Sequence, residues 1–161
     1  MRPKHMLPLL ALIVLFSCKP KTALEYNEKI IAIERGLTTE ITQTEEKVGK
    51  YFETQQFDSA AAASSRMESL VDKKLKEVEA IPAPDVKEAD NLKKAAIRYF
   101  AYLKSVYTSY KDYSSQTTEE ARETERLKLI KVAGQRNDAL ADIQSAQKKY
   151  ADANGFKIEN K

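Results

Sequence analysis

The sequence predicts an all-α protein, an antiparallel up-down-up-down four-helix bundle. Three observations carry that reading. Apolar residues recur at steps of three, four and seven, and the period-two alternation of a half-buried strand is sustained nowhere. Beyond Pro20, proline occurs only at Pro82 and Pro84, so 21–81 and 85–161 are free of it, as long helices require. Both stretches are rich in Ala, Leu, Lys, Glu and Gln, which form helices readily. With only 4 Gly and 5 Pro, the chain lacks the turn residues of a sandwich or barrel.

Helix starts are signalled by a Ser, Thr or Asp with Glu three residues later, a pairing that satisfies orphan N–H groups of the first turn. Thr22 with Glu25, Asp85 with Glu88, and Thr117 with Glu120 fit this pattern, and Asp58 after Phe57 offers a fourth start. The predicted helices are 22–54, 59–80, 86–113 and 118–153. Their apolar stripes read Tyr26, Ile30, Ile33, Leu37, Ile41, Val48 and Phe52; Ala60, Met67, Leu70, Val71, Leu75 and Val78; Leu92, Ala96, Tyr99, Leu103, Val106, Tyr110 and Tyr113; and Ile130, Ala133, Leu140, Ile143 and Tyr150. The fourth is the weakest, interrupted by Arg136, Asn137 and Gln144, and it closes at Asn154-Gly155-Phe156, a glycine stop with an apolar residue to fold back. Short connections make successive helices antiparallel. A bundle of three helices, with 59–80 bent against its neighbours, is the alternative packing. Gly36 and Gly49 leave room for a kink in the first helix.

The first residues address compartment. Arg2, Lys4 and His5 precede an apolar run from Leu9 to Phe16, too short to span a bilayer and shaped like a secretory leader. The run ends Leu15-Phe16-Ser17-Cys18, which resembles the bacterial lipobox: an aliphatic residue, a small residue before the cut, then the Cys that takes a diacylglyceryl group. Phe16 is bulkier than usual at its place. Cys18 is the sole cysteine, so an intrachain disulfide is excluded. The expected organisation is a leader over 1–17, a lipidated Cys18 and tether over 18–21, and a bundle domain over 22–161. The 27 basic residues, less Arg2 and Lys4, become 25 against 24 acidic, so a chain cut before Cys18 is near neutral and gives no support for nucleic-acid binding. Lys19, rather than Asp, follows the Cys and leans toward the outer membrane.

Catalytic chemistry is poorly served. His5 is the sole histidine, so beyond Cys18 the chain holds neither His nor thiol. That removes Cys-His and Ser-His-Asp nucleophiles, nearly all zinc sites and the Glu-x-x-His ligands of di-iron bundles. No catalytic residue, metal or cofactor is expected apart from the covalent lipid on Cys18. Glu119, Glu120, Glu123 and Glu125 read as a solvated helix start paired with Arg122 and Arg126, not as a calcium loop. The small-residue run Ala60 to Ser65 reads as close internal packing.

Tyrosine is the unusual residue. Tyr99, Tyr102, Tyr107, Tyr110 and Tyr113 fall within fifteen positions. At about 100° per residue Tyr99, Tyr110 and Tyr113 lie in the apolar stripe, with Tyr102 and Tyr107 on opposite flanks. Core packing accounts for such a stripe. The functional alternative is an aromatic surface on Tyr99, Tyr102, Tyr107 and Tyr110 for a sugar, peptide or lipid. A cavity lined by these rings favours a carrier of a small apolar or sugar ligand; a packed core with an exposed apolar patch favours a protein partner.

Three further stretches, Tyr26-Asn27-Glu28-Lys29-Ile30, Ala95-Ala96-Ile97-Arg98-Tyr99-Phe100 through Tyr107, and Ala146-Gln147-Lys148-Lys149-Tyr150-Ala151 through Phe156, join the lipobox in resembling an uncharacterised family of all-helical bacterial surface lipoproteins. The resemblance implies a helical fold and an envelope location, with the membrane reached through the lipid and an envelope protein as possible partner. It implies no catalytic or binding residues.

Overall fold

The computed structural model describes residues 19–158, with side chains from Lys21 onward; Cys18 and the leader lie outside the described residues. The described chain is a helical bundle: α1 (Lys19–Glu53), α2 (Phe57–Ala80), α3 (Ala89–Ser114), α4 (Glu119–Gly134) and α5 (Arg136–Asn154). The fourth arm of the expected bundle is thus two helices in line, broken at Gln135. There the N–H bonds to the Val132 carbonyl at 3.0 Å, an i−3 rather than i−4 partner, which tightens the turn and interrupts the ladder.

Direction is readable from pairs that cross between helices. Asp72 binds Lys104 at 2.6 Å and Glu68 binds Lys111 at 2.6 Å, so as one number rises the other falls and α2 and α3 are antiparallel. Phe52 of α1 meets Tyr110 of α3, while Glu34 lies beside Tyr99 further down, so these two run parallel across the bundle's diagonal. The Tyr26–Tyr150 ring pair, 6.0 Å between centroids, closes α1 on α5 at the end where α1 starts. The start of α4, which follows the end of α3, therefore lies at the opposite pole, with the α1–α2 turn.

The caps differ in detail from the sequence expectation. α1 begins at Lys19 instead of 22 and takes in Pro20, which a first turn tolerates because its N–H would be orphaned anyway. It continues unbroken past Gly36 and Gly49. Before α3, Asp85 does not cap: residues 81–88 are irregular and close in a turn at 87–88, and Glu88 enters the helix in the left-handed region (φ 62°). At α4 the cap is Thr118, whose hydroxyl accepts from Ala121 N–H at 3.3 Å, a contact typically worth about 1 kcal/mol. The C-terminal stop matches expectation: Gly155 sits at φ 74°, Phe156 N–H bonds the Ala151 carbonyl, and the Phe156 ring stands on Tyr150 at 5.8 Å.

The core joins Tyr26, Ile30 and Leu37 of α1 to Met67, Val71 and Val78 of α2, Leu92, Ala96, Phe100 and Tyr107 of α3, and Ile143 and Tyr150 of α5. Ala60, Ala63 and Ser64 are buried, so the small-residue run packs internally over half its length. α4 buries none of its residues. Ile130 and Ala133, expected in the core stripe, are exposed; α4 turns Leu129 and Val132 inward instead, and these are half-buried.

Candidate functional site

α3 is the central strut of the bundle, packed by α2 on one side and by α4 and α5 on the other. A helix covered from two sides buries more than one stripe. That is why Ala95, Phe100 and Tyr107 are buried together with Leu92, Ala96 and Tyr99. The four candidate tyrosines divide accordingly. Tyr107 is 1% exposed and Tyr99 9%, while Tyr102 and Tyr110 are half-buried. The expected phase put Tyr110 in the core and Tyr107 on the flank; Tyr107 is instead almost fully buried, while Tyr110 is half-buried and packs against the core. The angular estimate assumed one buried face, and α3 has two.

The rings form a continuous edge-to-face series at the pole away from the N-terminus. Tyr107 meets Tyr110 at 6.0 Å, Tyr110 meets Phe52 at 5.9 Å, Phe52 meets Tyr113 at 5.2 Å, and Tyr113 meets Phe57 at 6.0 Å. Arg122 of α4 covers the Phe57 face with its guanidinium carbon 3.9 Å from the ring centroid, in cation–π range. Arg122 also donates to the Gln116 carbonyl at 2.8 Å and pairs with Glu119 at 3.1 Å, tying the start of α4 to the turn before it.

Two acids of α1 that the tyrosine pattern gave no hint of look onto this face. Glu34 lies beside Tyr99; Glu45 lies near Tyr102, Tyr107 and Tyr110. They are eleven residues apart, about 20° around the helix, and that spacing was the available signal. Burial first, then these carboxylates, pushes the Tyr99 and Tyr107 phenols far above their ordinary value, and the Tyr110 phenol upward. Burial also raises Tyr102, against the nearby Arg136, which lowers it. The four phenols therefore stay protonated at any physiological pH and can offer hydrogen bonds and ring edges but no charge.

At the other pole Tyr26 and Tyr150 carry buried hydroxyls that reach no protein partner, and burial lifts each phenol to about 12. The side-chain oxygen of Asn27, next to Tyr26 in sequence, is also buried without a protein partner.

The acidic start of α4 is paired along the helix: Arg122 with Glu119, Arg126 with both oxygens of Glu123 at 2.6 Å, and Lys128 with Glu125 at 2.7 Å. Among the described residues no group of three or more His, Cys, Asp or Glu side chains is placed to hold a metal ion. Among them, too, no helix is long and apolar enough to cross a membrane. Cys18, the lipidation candidate, lies outside the described residues. No protein-family model, curated protein or solved structure matches the chain.

Proposed function

We propose that this is a lipid-anchored protein of the bacterial cell envelope, held through Cys18, whose bundle serves as a non-catalytic interaction module. The observation that carries the interaction reading is α4: it buries no residue and leaves Leu127 57% and Ile130 53% exposed. Large aliphatic side chains paired on a helix face favour a protein contact. The carrier alternative is weakened because Tyr99 and Tyr107, half of its candidate groove, pack into the core.

Support for the anchor comes from the sequence Leu15-Phe16-Ser17-Cys18 and from the likeness to helical surface lipoproteins. Helix α1 starts one residue after Cys18 and runs 35 residues, about 50 Å at 1.5 Å per residue. Lys19 after the Cys supports the outer membrane. The proposal includes no cofactor beyond the lipid, no nucleic acid and no metal.

Labelled-palmitate incorporation tests the anchor: Cys18→Ala should abolish it and leave the precursor uncut, and equal labelling of both chains would refute it. Crosslinking of intact envelopes followed by pull-down tests the interaction. The wild type should retain protein that Leu127→Asp loses, and identical captures would remove α4 from the reading.

A further inference from the structure

We propose that the outward face of α4 pairs with the same face of a second copy, antiparallel, about a two-fold axis at Leu127. This rests on the interaction reading above and names its partner.

The face is built for self-pairing in three respects. First, it is free: Glu120, Thr124, Leu127, Ile130, Lys131 and Gly134 are all exposed. Leu127 and Ile130 stand one turn apart, and Gly134 adds no side chain to hold a partner off.

Second, charge is segregated along the helix. The part before Leu127 carries Glu119, Glu120, Glu123 and Glu125 against Arg122 and Arg126; the part after it carries Lys128 and Lys131 and no acid. Leu127 sits at the boundary, which is where the axis of an antiparallel pair must pass for acid to face base.

Third, the ion pairs within α4 account for every charged residue of the helix except two, Glu120 and Lys131. Those two are eleven residues apart and so point within about 20° of each other, on one flank of the Leu127–Ile130 stripe. In an antiparallel pair like flank meets like flank. With the axis at Leu127, Glu120 lies seven residues to one side and the partner's Lys131 four residues to that same side. They are then about 4–5 Å apart along the axis, within reach of two long side chains across helices 8–10 Å apart. The symmetry makes that contact twice. Arg126, which falls near the axis on the other flank, has its charge compensated by the bidentate Glu123.

One helix face per copy is a small interface, at the low end of specific contacts, so weak association is expected in dilute solution. On one membrane the two-fold axis would run along the membrane normal, with both bundles lying along the surface, and confinement there raises the effective concentration and favours pairing.

The test uses the full chain in intact cells. Leu127→Cys, treated with a short bismaleimide, should give a covalent dimer that the parent chain, whose only cysteine sulfur carries the lipid, does not; Thr42→Cys, on an exposed part of α1, should give no more than the parent. In the Leu127→Cys chain, Glu120→Lys or Lys131→Glu alone should cut the dimer yield several-fold, because each sets like charges opposite one another. Both together should restore it to within about twofold. Neither position makes an ion pair among the described residues, but Glu120 suits the first turn of α4 and Lys131 the last, so thermal melts should fall slightly with each reversal and furthest in the double variant; a dimer yield that recovers there separates lost pairing from lost folding. Dimer no greater than at Thr42→Cys, or yields indifferent to the charge reversals, overturns the proposal. An adduct with a different protein also overturns it while leaving the interaction reading standing.

Discussion

Truncation of Tyr107 tests the phase of α3 most directly. The ring is 1% exposed and lies between α3 and the carboxylate side of α1, so Tyr107→Ala strips an almost fully buried aromatic side chain from the core. Such deletions cost about 3–5 kcal/mol, against a total of about 5–15 kcal/mol for a domain. Tyr110 is half-buried, which halves the transfer loss to about 2 kcal/mol, but it makes two edge-to-face contacts, to Tyr107 and Phe52. Those add about 0.5–1.5 kcal/mol each. Tyr107 adds its own contact with Tyr110 to its full transfer loss, which leaves Tyr110→Ala about 1 kcal/mol milder than Tyr107→Ala. A domain of this length loses about 3–5 °C of melting temperature per kcal/mol, so Tyr107→Ala should lower it by roughly 10–20 °C. Far-UV circular dichroism melts and urea titrations at one pH measure both. The double variant should be less destabilised than the two single losses together, by about 0.5–1.5 kcal/mol, since the rings touch. A Tyr110→Ala loss larger than that of Tyr107→Ala would refute the two-sided burial of α3.

Three more outcomes follow from the packing. Glu68 is drawn two ways: burial raises its carboxyl, but hydrogen bonds from Lys111 and Thr108 outweigh that and hold it below its usual value. Glu68→Ala should cost about 1–3 kcal/mol in a urea titration by leaving Lys111 unpaired and Thr108 with only the Lys104 carbonyl, and no loss would mean the pairs do not fix the α2–α3 register. Hydrogen bonds from Lys104 and Lys76 lower Asp72 from 3.8 to about 2, so its contribution to stability is complete above pH 3.8 and disappears as pH falls toward 2. Asp72→Asn should therefore flatten the acid limb of melting temperature against pH in that window, and an unchanged limb would refute the assignment. Gly49→Ala should raise stability by about 0.5–1 kcal/mol, because the glycine lies inside α1 and an added methyl meets nothing within 4 Å; a loss on melting would show that the glycine is needed there.

The helices were legible because their causes are local. Proline placement, good helix formers and three-four spacing are properties of short windows, and α1, α2 and the Gly155 stop follow from them. Burial of particular residues depends on how many neighbours a helix has, which no single window records. α3 carries apolar or aromatic residues at Phe100, Leu103, Val106, Tyr107 and Tyr110, enough for several faces, and one stripe was chosen where the fold uses two. Pole-to-pole assembly was likewise beyond reach: Phe52, Phe57, Tyr113 and Arg122 come from four helices and meet only because α1 and α3 run parallel on the diagonal. The start of α3 failed for a local reason. Asp85-Val86-Lys87-Glu88 has the letters of a capping box, but Val86 N–H bonds the Pro84 carbonyl and Ala89 N–H the Val86 carbonyl, so the segment closes on itself as turns first.

α4 explains both a misreading and the surface proposed above. It carries two aliphatic pairs, Leu129 with Val132 and Leu127 with Ile130, and members of one are displaced by two residues, about 200°, from members of the other. Either pair satisfies a search for a core stripe, so the sequence alone could not say which faces inward. The decision comes from α5: at 100° per residue, Val132 lies within about 20° of the buried Ile143, whereas Ile130 lies about 140° away. Once α5 docks through Ile143 and Tyr150, Leu129 and Val132 must turn toward α3, and Leu127 and Ile130 must turn out. An ordinary surface helix keeps one face polar. The bundle uses one apolar face of α4, and among the described residues no further helix covers the other; a contact outside the chain is the occupant that such a helix suits.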